Sequence, residues 1–192
     1  MVAIADDDSR FESLSSDLSA KISPVVGGAE RCQSVLAGLA WLCDRAPKGT
    51  EGSSWVMVHD AARPCLRGCD IDRMLETISE DSVGAILGVP VGDTLKLIDN
   101  KNQISSTVDR SAVWRALTPQ LFRLYQLRDA IESALGDGVI VTDEGQAMER
   151  MGLRPILVQG HGDNIKITNA EDLALAELII RAQDVTNERL SR

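Results

Sequence analysis

Short, almost purely apolar runs alternate along this chain with longer stretches of helical period, and this restricts its fold more than any other feature. The runs are Val2–Ala5, Ile22–Val26, Trp55–His59, Val83–Val91 and Pro155–Gln159. Each is too short for a stable helix and reads as a strand. Between them, Phe11–Lys21 carries Phe11, Leu14 and Leu18 at helical spacing, and Glu30–Arg45 carries Val35, Leu36, Leu39, Leu42 and Cys43 on one face. Ile71–Ser79, with Asp70 or Asp72 as its cap, Leu121–Leu135 and Asp143–Met151 read as further helices. A capping box, Thr168-Asn169-Ala170-Glu171, precedes an amphipathic helix over Leu173–Ala182. Strands that alternate with helices predict an α/β fold with a mostly parallel sheet and helices on its faces. The nearly continuous Trp55–His59 is expected to be a central strand covered on both sides.

One region breaks the pattern. Thr94–Ile98 and Ile104–Val108 flank the turn-forming Asp99-Asn100-Lys101-Asn102-Gln103. This predicts a β-ribbon with little apolar backing, which must lean on something, a partner subunit being one choice. With no repeat and no linker, residues 1–192 read as a single domain with a protruding β-arm at about 94–117.

Composition excludes several functions. Lys and Arg number 20 against 29 Asp and Glu, a net charge of −9, which disfavours nucleic acid and anionic membranes as partners. No apolar run reaches the ~20 residues of a membrane span. The start of the chain lacks a basic region and a long enough apolar stretch for a secretion signal, so a cytoplasmic protein is expected. Cys32, Cys43, Cys65 and Cys69 match no zinc spacing and are expected as reduced thiols. Two histidines, His59 and His161, leave little scope for histidine chemistry.

Ligands of such sheets bind beyond the carboxyl ends of the strands. After Trp55–His59 comes Asp60-Ala61-Ala62-Arg63-Pro64, a carboxylate and a guanidinium separated by small residues. After Ile22–Val26, Gly27-Gly28 opens a helix whose free N–H groups suit an anion or a base carbonyl. After Val83–Val91 comes Asp93-Thr94-Leu95-Lys96, and near the end Lys166 precedes a helix start. Singly, each has an ordinary reading as a turn, a cap or a solvated loop. Their convergence on one rim of a sheet points to a site for a phosphorylated ligand.

In this order, Gly27-Gly28-Ala29-Glu30-Arg31-Cys32-Gln33-Ser34-Val35, Val58-His59-Asp60-Ala61-Ala62-Arg63-Pro64, Val89-Pro90-Val91-Gly92-Asp93-Thr94-Leu95-Lys96, Val108-Asp109-Arg110, Thr118-Pro119-Gln120-Leu121-Phe122, Thr142-Asp143 and Asn164-Ile165-Lys166-Ile167-Thr168 resemble the 2-C-methyl-D-erythritol 4-phosphate cytidylyltransferases of non-mevalonate isoprenoid biosynthesis. The resemblance implies a Rossmann-like nucleotidyltransferase that joins CTP and the polyol phosphate and releases pyrophosphate. It places Gly27, Gly28 and Ser34 near the cytosine and ribose, Ala61 beside the nucleotide, and Mg²⁺ on Asp60. Arg63 would hold the local loop. Arg110 and Lys166 would be the catalytic cations that position methylerythritol phosphate, with Thr94, Thr118, Thr142 and Asp143 lining its pocket. The arm would clasp a second subunit, so that Arg110 and Thr94 serve the neighbour's site in a homodimer.

The same resemblance aligns Met1–Ala5 with the family's second strand. The family's first strand and its glycine-rich loop, with an Arg and a Lys for the triphosphate, are then expected to lie outside this sequence. Each lost donor would cost ~10²–10³ in rate. Leu117 stands where the family usually has Gln. Alternatives are a ribitol-5-phosphate cytidylyltransferase, an inactive truncated dimerising remnant, and a glycosyltransferase using Asp6-Asp7-Asp8 as an Asp-x-Asp metal site.

Overall fold

The computed structural model describes residues 1–16 and 22–190, with the side chains of 186–190 set aside. The chain divides into two compact units, Met1–Val58 with Leu121–Pro155, and His59–Gln120 with Ile156–Arg192.

In the first unit β1 (Val2–Ile4) pairs in parallel with β2 (Pro24–Val26), with Ala3 opposite Val25. Helix α1 spans Phe11–Ser15, and the rest of its sequence-expected length, 17–21, lies outside the described residues. Asp8 precedes it: Oδ1 accepts the N–H groups of Arg10 and Phe11 at 2.8 and 3.0 Å. Asp8 of the Asp6-Asp7-Asp8 string is thus bound to the backbone of the turn that leads into α1.

Helix α2 (Arg31–Cys43) packs against α4 (Leu124–Gly136), and α4 against α5 (Glu144–Arg150). The buried stripe of α4, Leu124, Leu127, Ala130, Ile131 and Ala134, recurs at helical spacing. Leu127 and Ile131 are fully buried and contribute about 1.5–3 kcal/mol each in transfer free energy.

Strand β3 (Trp55–Val58) is half-buried along its whole length, not covered on both faces as expected. Among the described residues it is the end strand of the order β3-β7-β4-β8. The fully covered strand is β4 (Gly84–Pro90), buried from Gly84 to Val89. In the second unit β4 pairs in parallel with β8 (Ile156–Gln159), in the register Ala85 to Ile156 and Gly88 to Gln159, and its other neighbour is β7 (Trp114–Arg123). The last three residues of β7 belong to the first unit.

Strand β7 corrects the expectation that Leu121 begins a helix. Leu121–Arg123 continue the strand, and α4 begins only at Leu124. Pro119 conceals the strand in the sequence, because proline is rare in strand interiors. Helix α3 (Gly68–Thr77) also starts earlier than expected, with Arg67 at its N-cap and Asp70 inside it. Helix α6 (Ala170–Leu190) is capped differently from the expected box. Asn169 Oδ1 accepts the N–H groups of Glu171 and Asp172, both at 3.1 Å, while Asp172 Oδ2 accepts those of Thr168 and Asn169.

The ribbon is a separate antiparallel pair, β5 (Lys96–Ile98) with β6 (Ile104–Thr107). Every residue of both strands is exposed, including Leu97, Ile98 and Ile104 at 56%, 57% and 65%. No helix among the described residues is long and apolar enough to cross a membrane.

Candidate active site

In the second unit the chain turns immediately after β3, through His59 to Pro64, and the loop 160–168 after β8 comes to lie on this turn. Ile167 donates its N–H to Ala62 O at 2.8 Å. Arg63 reaches across to Asn164 O at 2.9 Å, and Asn164 Nδ2 donates to Thr118 O at 2.8 Å on β7. Asn164 is 1% exposed, so this amide is a buried rivet between strand and loop.

Lys166 is held in place as a result. Its Nζ lies 3.0 Å from Asp60 Oδ2, and Arg63 Nε lies 3.8 Å from the same oxygen. One carboxylate thus stands between two cations, and the lysine is the more exposed of them (44% against 13%).

A second network fixes Asp60 from behind. His59 Nε2 donates to Arg63 O at 2.9 Å, since a carbonyl can only accept. In the neutral ring Nδ1 is then an acceptor, and the Thr118 hydroxyl 3.0 Å away donates to it. The same hydroxyl oxygen accepts the Asp60 N–H at 3.0 Å. Sequence reasoning set His59 aside. Its contribution here is orientation, and only the fold shows it.

The Lys166 loop is also tied at both ends. Arg67 pairs with Asp163, its Nε donating to Oδ2 at 3.2 Å, and Gln183 Nε2 donates to the same oxygen at 3.3 Å. Burial alone would raise the Asp163 carboxyl. The hydrogen bonds from Arg67 and Gln183 and the charge of Arg67 outweigh it and leave the group below the ordinary carboxylate range. At the other end, the Thr168 N–H and hydroxyl and the Asn169 N–H hold Asp172 below that range too.

In the first unit, Gly27 and Gly28 form the loop before α2. A Cβ on Gly27 would meet Ser34 Oγ at 2.6 Å, and one on Gly28 would meet Gln33 Cβ at 2.4 Å. Both glycines are therefore required by close approach. Ser34 Oγ accepts the Gly28 N–H at 3.1 Å, and Gln33 Oε1 accepts that of Glu30 at 3.0 Å. Thr142 and Asp143 begin α5. Asp143 caps it by accepting the Gln146 N–H at 2.8 Å, and the Thr142 N–H donates back to Gln146 Oε1 at 2.7 Å.

The structure thus joins Asp60, Arg63, Thr118 and Lys166 in one cluster, with Ala61 exposed on its turn, and joins Gly27, Gly28 and Ser34 in another. Thr118 is buried, its hydroxyl taken up by His59 and Asp60. Thr94 and Arg110 stand exposed on the chain flanking the ribbon, where the Arg110 guanidinium donates to Gly92 O.

Asp60 suits a hard cation: it is an oxygen donor, and Mg²⁺ takes one or two carboxylates and completes its shell with water and substrate phosphates. Cys69, Asp70 and His161 also approach within 4.8 Å of one another. There, however, the fully buried Asp70 carboxylate is balanced by Arg73 at 3.1 Å and accepts both the His161 Nδ1–H, at 2.8 Å, and its backbone N–H. That network anchors the loop after β8 to α3.

Comparison with known proteins identifies the architecture. The profile of the family described as IspD, 2-C-methyl-D-erythritol 4-phosphate cytidylyltransferase, matches residues 1–182. The chain belongs to this family. It is 45% identical over 185 residues to the cytidylyltransferase of that name from Tolumonas auensis, covering 96% of this chain and 78% of the relative. To the one from Pseudomonas aeruginosa it is 49% identical over 173 residues, covering 90% and 73%. A crystal structure of 4-diphosphocytidyl-2C-methyl-D-erythritol synthase superposes with a TM-score of 0.80 at 35% identity, over 93% of this chain and 80% of that one. The Francisella tularensis member of the family gives 0.72 at 36%, over 85% and 74%. The mixed α/β fold, with the parallel pairs β1–β2 and β4–β8 and flanking helices, is that of the cytidylyltransferase family. Neither ribitol phosphate nor glycosyl transfer is named among these relatives.

Proposed function

We propose that this protein transfers the cytidylyl group of CTP to 2-C-methyl-D-erythritol 4-phosphate, giving 4-diphosphocytidyl-2-C-methyl-D-erythritol and pyrophosphate. The observation that carries the chemistry is the cluster of Asp60 with Lys166 and Arg63, 3.0 and 3.8 Å from one carboxylate oxygen. In the reaction, a phosphate oxygen of the polyol attacks the α-phosphorus. A new P–O bond forms, the bridging P–O bond to the β-phosphate breaks, and pyrophosphate carries away the electron pair. The nucleophile is already anionic, so no general base is needed, which suits a site where histidine is used for orientation. The demand is to bring two anions together and to neutralise charge that builds on the transferred phosphoryl group.

Lys166 holds that charge, and Arg63 with Asn164 keeps its loop in position. Asp60 would hold Mg²⁺, which supplies neutralisation of the phosphates when bound. Gly27, Gly28 and Ser34 form the nucleotide loop, Ala61 lies beside the nucleotide, Thr142 and Asp143 serve the polyol-phosphate side, and the buried Thr118 acts behind that pocket by holding the Asp60 turn. The exposed ribbon is the dimer arm of a homodimer, through which Arg110 and Thr94 reach the neighbour's site. Its three large apolar residues, each more than half exposed, support this reading. The cytoplasm, where CTP is available, is the compartment that suits it.

The test is pyrophosphate release by the full-length protein with CTP, methylerythritol phosphate and Mg²⁺, compared with ribitol 5-phosphate. Release with the first polyol and not the second supports the reading. Preference for ribitol phosphate, or no release with either, overturns it.

A further inference from the structure

Arg31 and Glu144 occupy positions that their own helices do not explain. Arg31 is the first residue of α2, where the helix dipole disfavours positive charge. Glu144, the first residue of α5, is 1% exposed, and a carboxylate buried alone is costly. Together they account for each other. Arg31 Nη1 donates to Glu144 Oε1 at 2.7 Å and Nη2 to Oε2 at 3.0 Å, a two-pronged fork between residues 113 apart in sequence.

Each end of this fork belongs to a rigid piece. Arg31 directly follows the Gly27–Glu30 loop, which Ser34 and Gln33 bind to the first turn of α2. Glu144 directly follows Thr142-Asp143, which Gln146 binds to the first turn of α5. The fork is a direct polar link between the two helix starts. We infer that Arg31 and Glu144 are a positioning pair, setting the nucleotide loop at its working distance from the polyol-phosphate segment. The inference rests on the assignment of those two segments above. Neither side chain needs to touch the reacting atoms. A shift of about 1 Å between two substrates costs on the order of 10²-fold in rate, so a spacer of this kind matters to catalysis.

Replacing a buried ion pair by apolar residues of similar volume is often neutral or stabilising, which allows folding and positioning to be separated. The variant is Arg31→Met with Glu144→Leu in the full-length protein. Its thermal midpoint is expected at or above that of the parent. KM for CTP and KM for methylerythritol phosphate are both expected to rise by at least ~10-fold, with kcat/KM falling ~10²-fold. Arg31→Lys keeps the charge but loses the fork, and is expected to show the same KM pattern at an unchanged midpoint. This gives a second route should the double variant fold poorly. KM values within about twofold of the parent in a folded variant would reduce the pair to a stability element and overturn the inference. A parent without turnover would overturn the functional assignment itself, a distinct outcome.

Discussion

Replacing Lys166 by alanine should separate stability from activity. In water, two unit charges 3.0 Å apart interact by roughly 1.4 kcal/mol, and at an effective dielectric of 20 by roughly 5.5 kcal/mol. The lysine side chain is 44% exposed, so screening and the entropy of a long side chain reduce the net contribution to at most ~1 kcal/mol. Loss of the Asp60–Lys166 pair is therefore expected to lower the thermal midpoint by no more than about 2–4 °C for a chain of this size. A preorganised group aimed at the developing charge contributes about 2.7–4 kcal/mol to the transition state. Lys166→Ala should accordingly lose ~10²–10³ in kcat in a pyrophosphate-release assay while melting almost like the parent. The reasoning is refuted if kcat stays within tenfold, or if the midpoint falls so far that the loss of turnover follows from unfolding alone.

Asn164→Ala removes the buried donor to Thr118 O and should destabilise the protein by about 1–3 kcal/mol in urea unfolding, because that carbonyl is left without its partner. The Arg67–Asp163 clamp has a definite pH signature. Asp163 titrates below its ordinary 3.8, so its contribution is complete above that value and disappears as the pH falls through the lower folded value. Stability measured against pH should therefore drop more steeply in this acid range for the parent than for Asp163→Asn. On the proposed dimer arm, Leu97→Glu with Ile104→Glu should shift sedimentation from the dimer expected of the parent to a monomer and leave each chain folded, because both side chains are more than half exposed in the single chain. A dimer that survives them would place the subunit contact elsewhere.

The strands were readable where an apolar run was clean. Val83–Val91 and Pro155–Gln159 contain β4 and β8 within a residue or two of their expected bounds; β4, buried from Gly84 to Val89, owes its uninterrupted hydrophobic signature to cover on both faces, whereas in β8 Val158 alone is buried. Strand β7 was hidden because Pro119 argues against a strand locally, while its neighbours β3 and β4 supply the pairing. The exposure of β3 was equally illegible, because four apolar residues in a row do not reveal how many strands will flank them. Among site residues, Asp60, Arg63 and Lys166 stood out as charges placed after apolar runs. His59, Asn164 and the Arg31–Glu144 fork did not, because their roles depend on partners found only when distant segments meet.

From its amino acids alone, the chain specified most of its strands and helices, its net negative charge, and which charged loops follow apolar runs. Those properties follow from local periodicity and from side-chain charge. Tertiary structure alone decided which cation faces Asp60, that Thr118 is spent on holding the turn, and that a buried carboxylate on α5 meets the first residue of α2. Coulomb energy and hydrogen bonding act over a few ångströms of space, so they depend on distances that only the folded chain establishes.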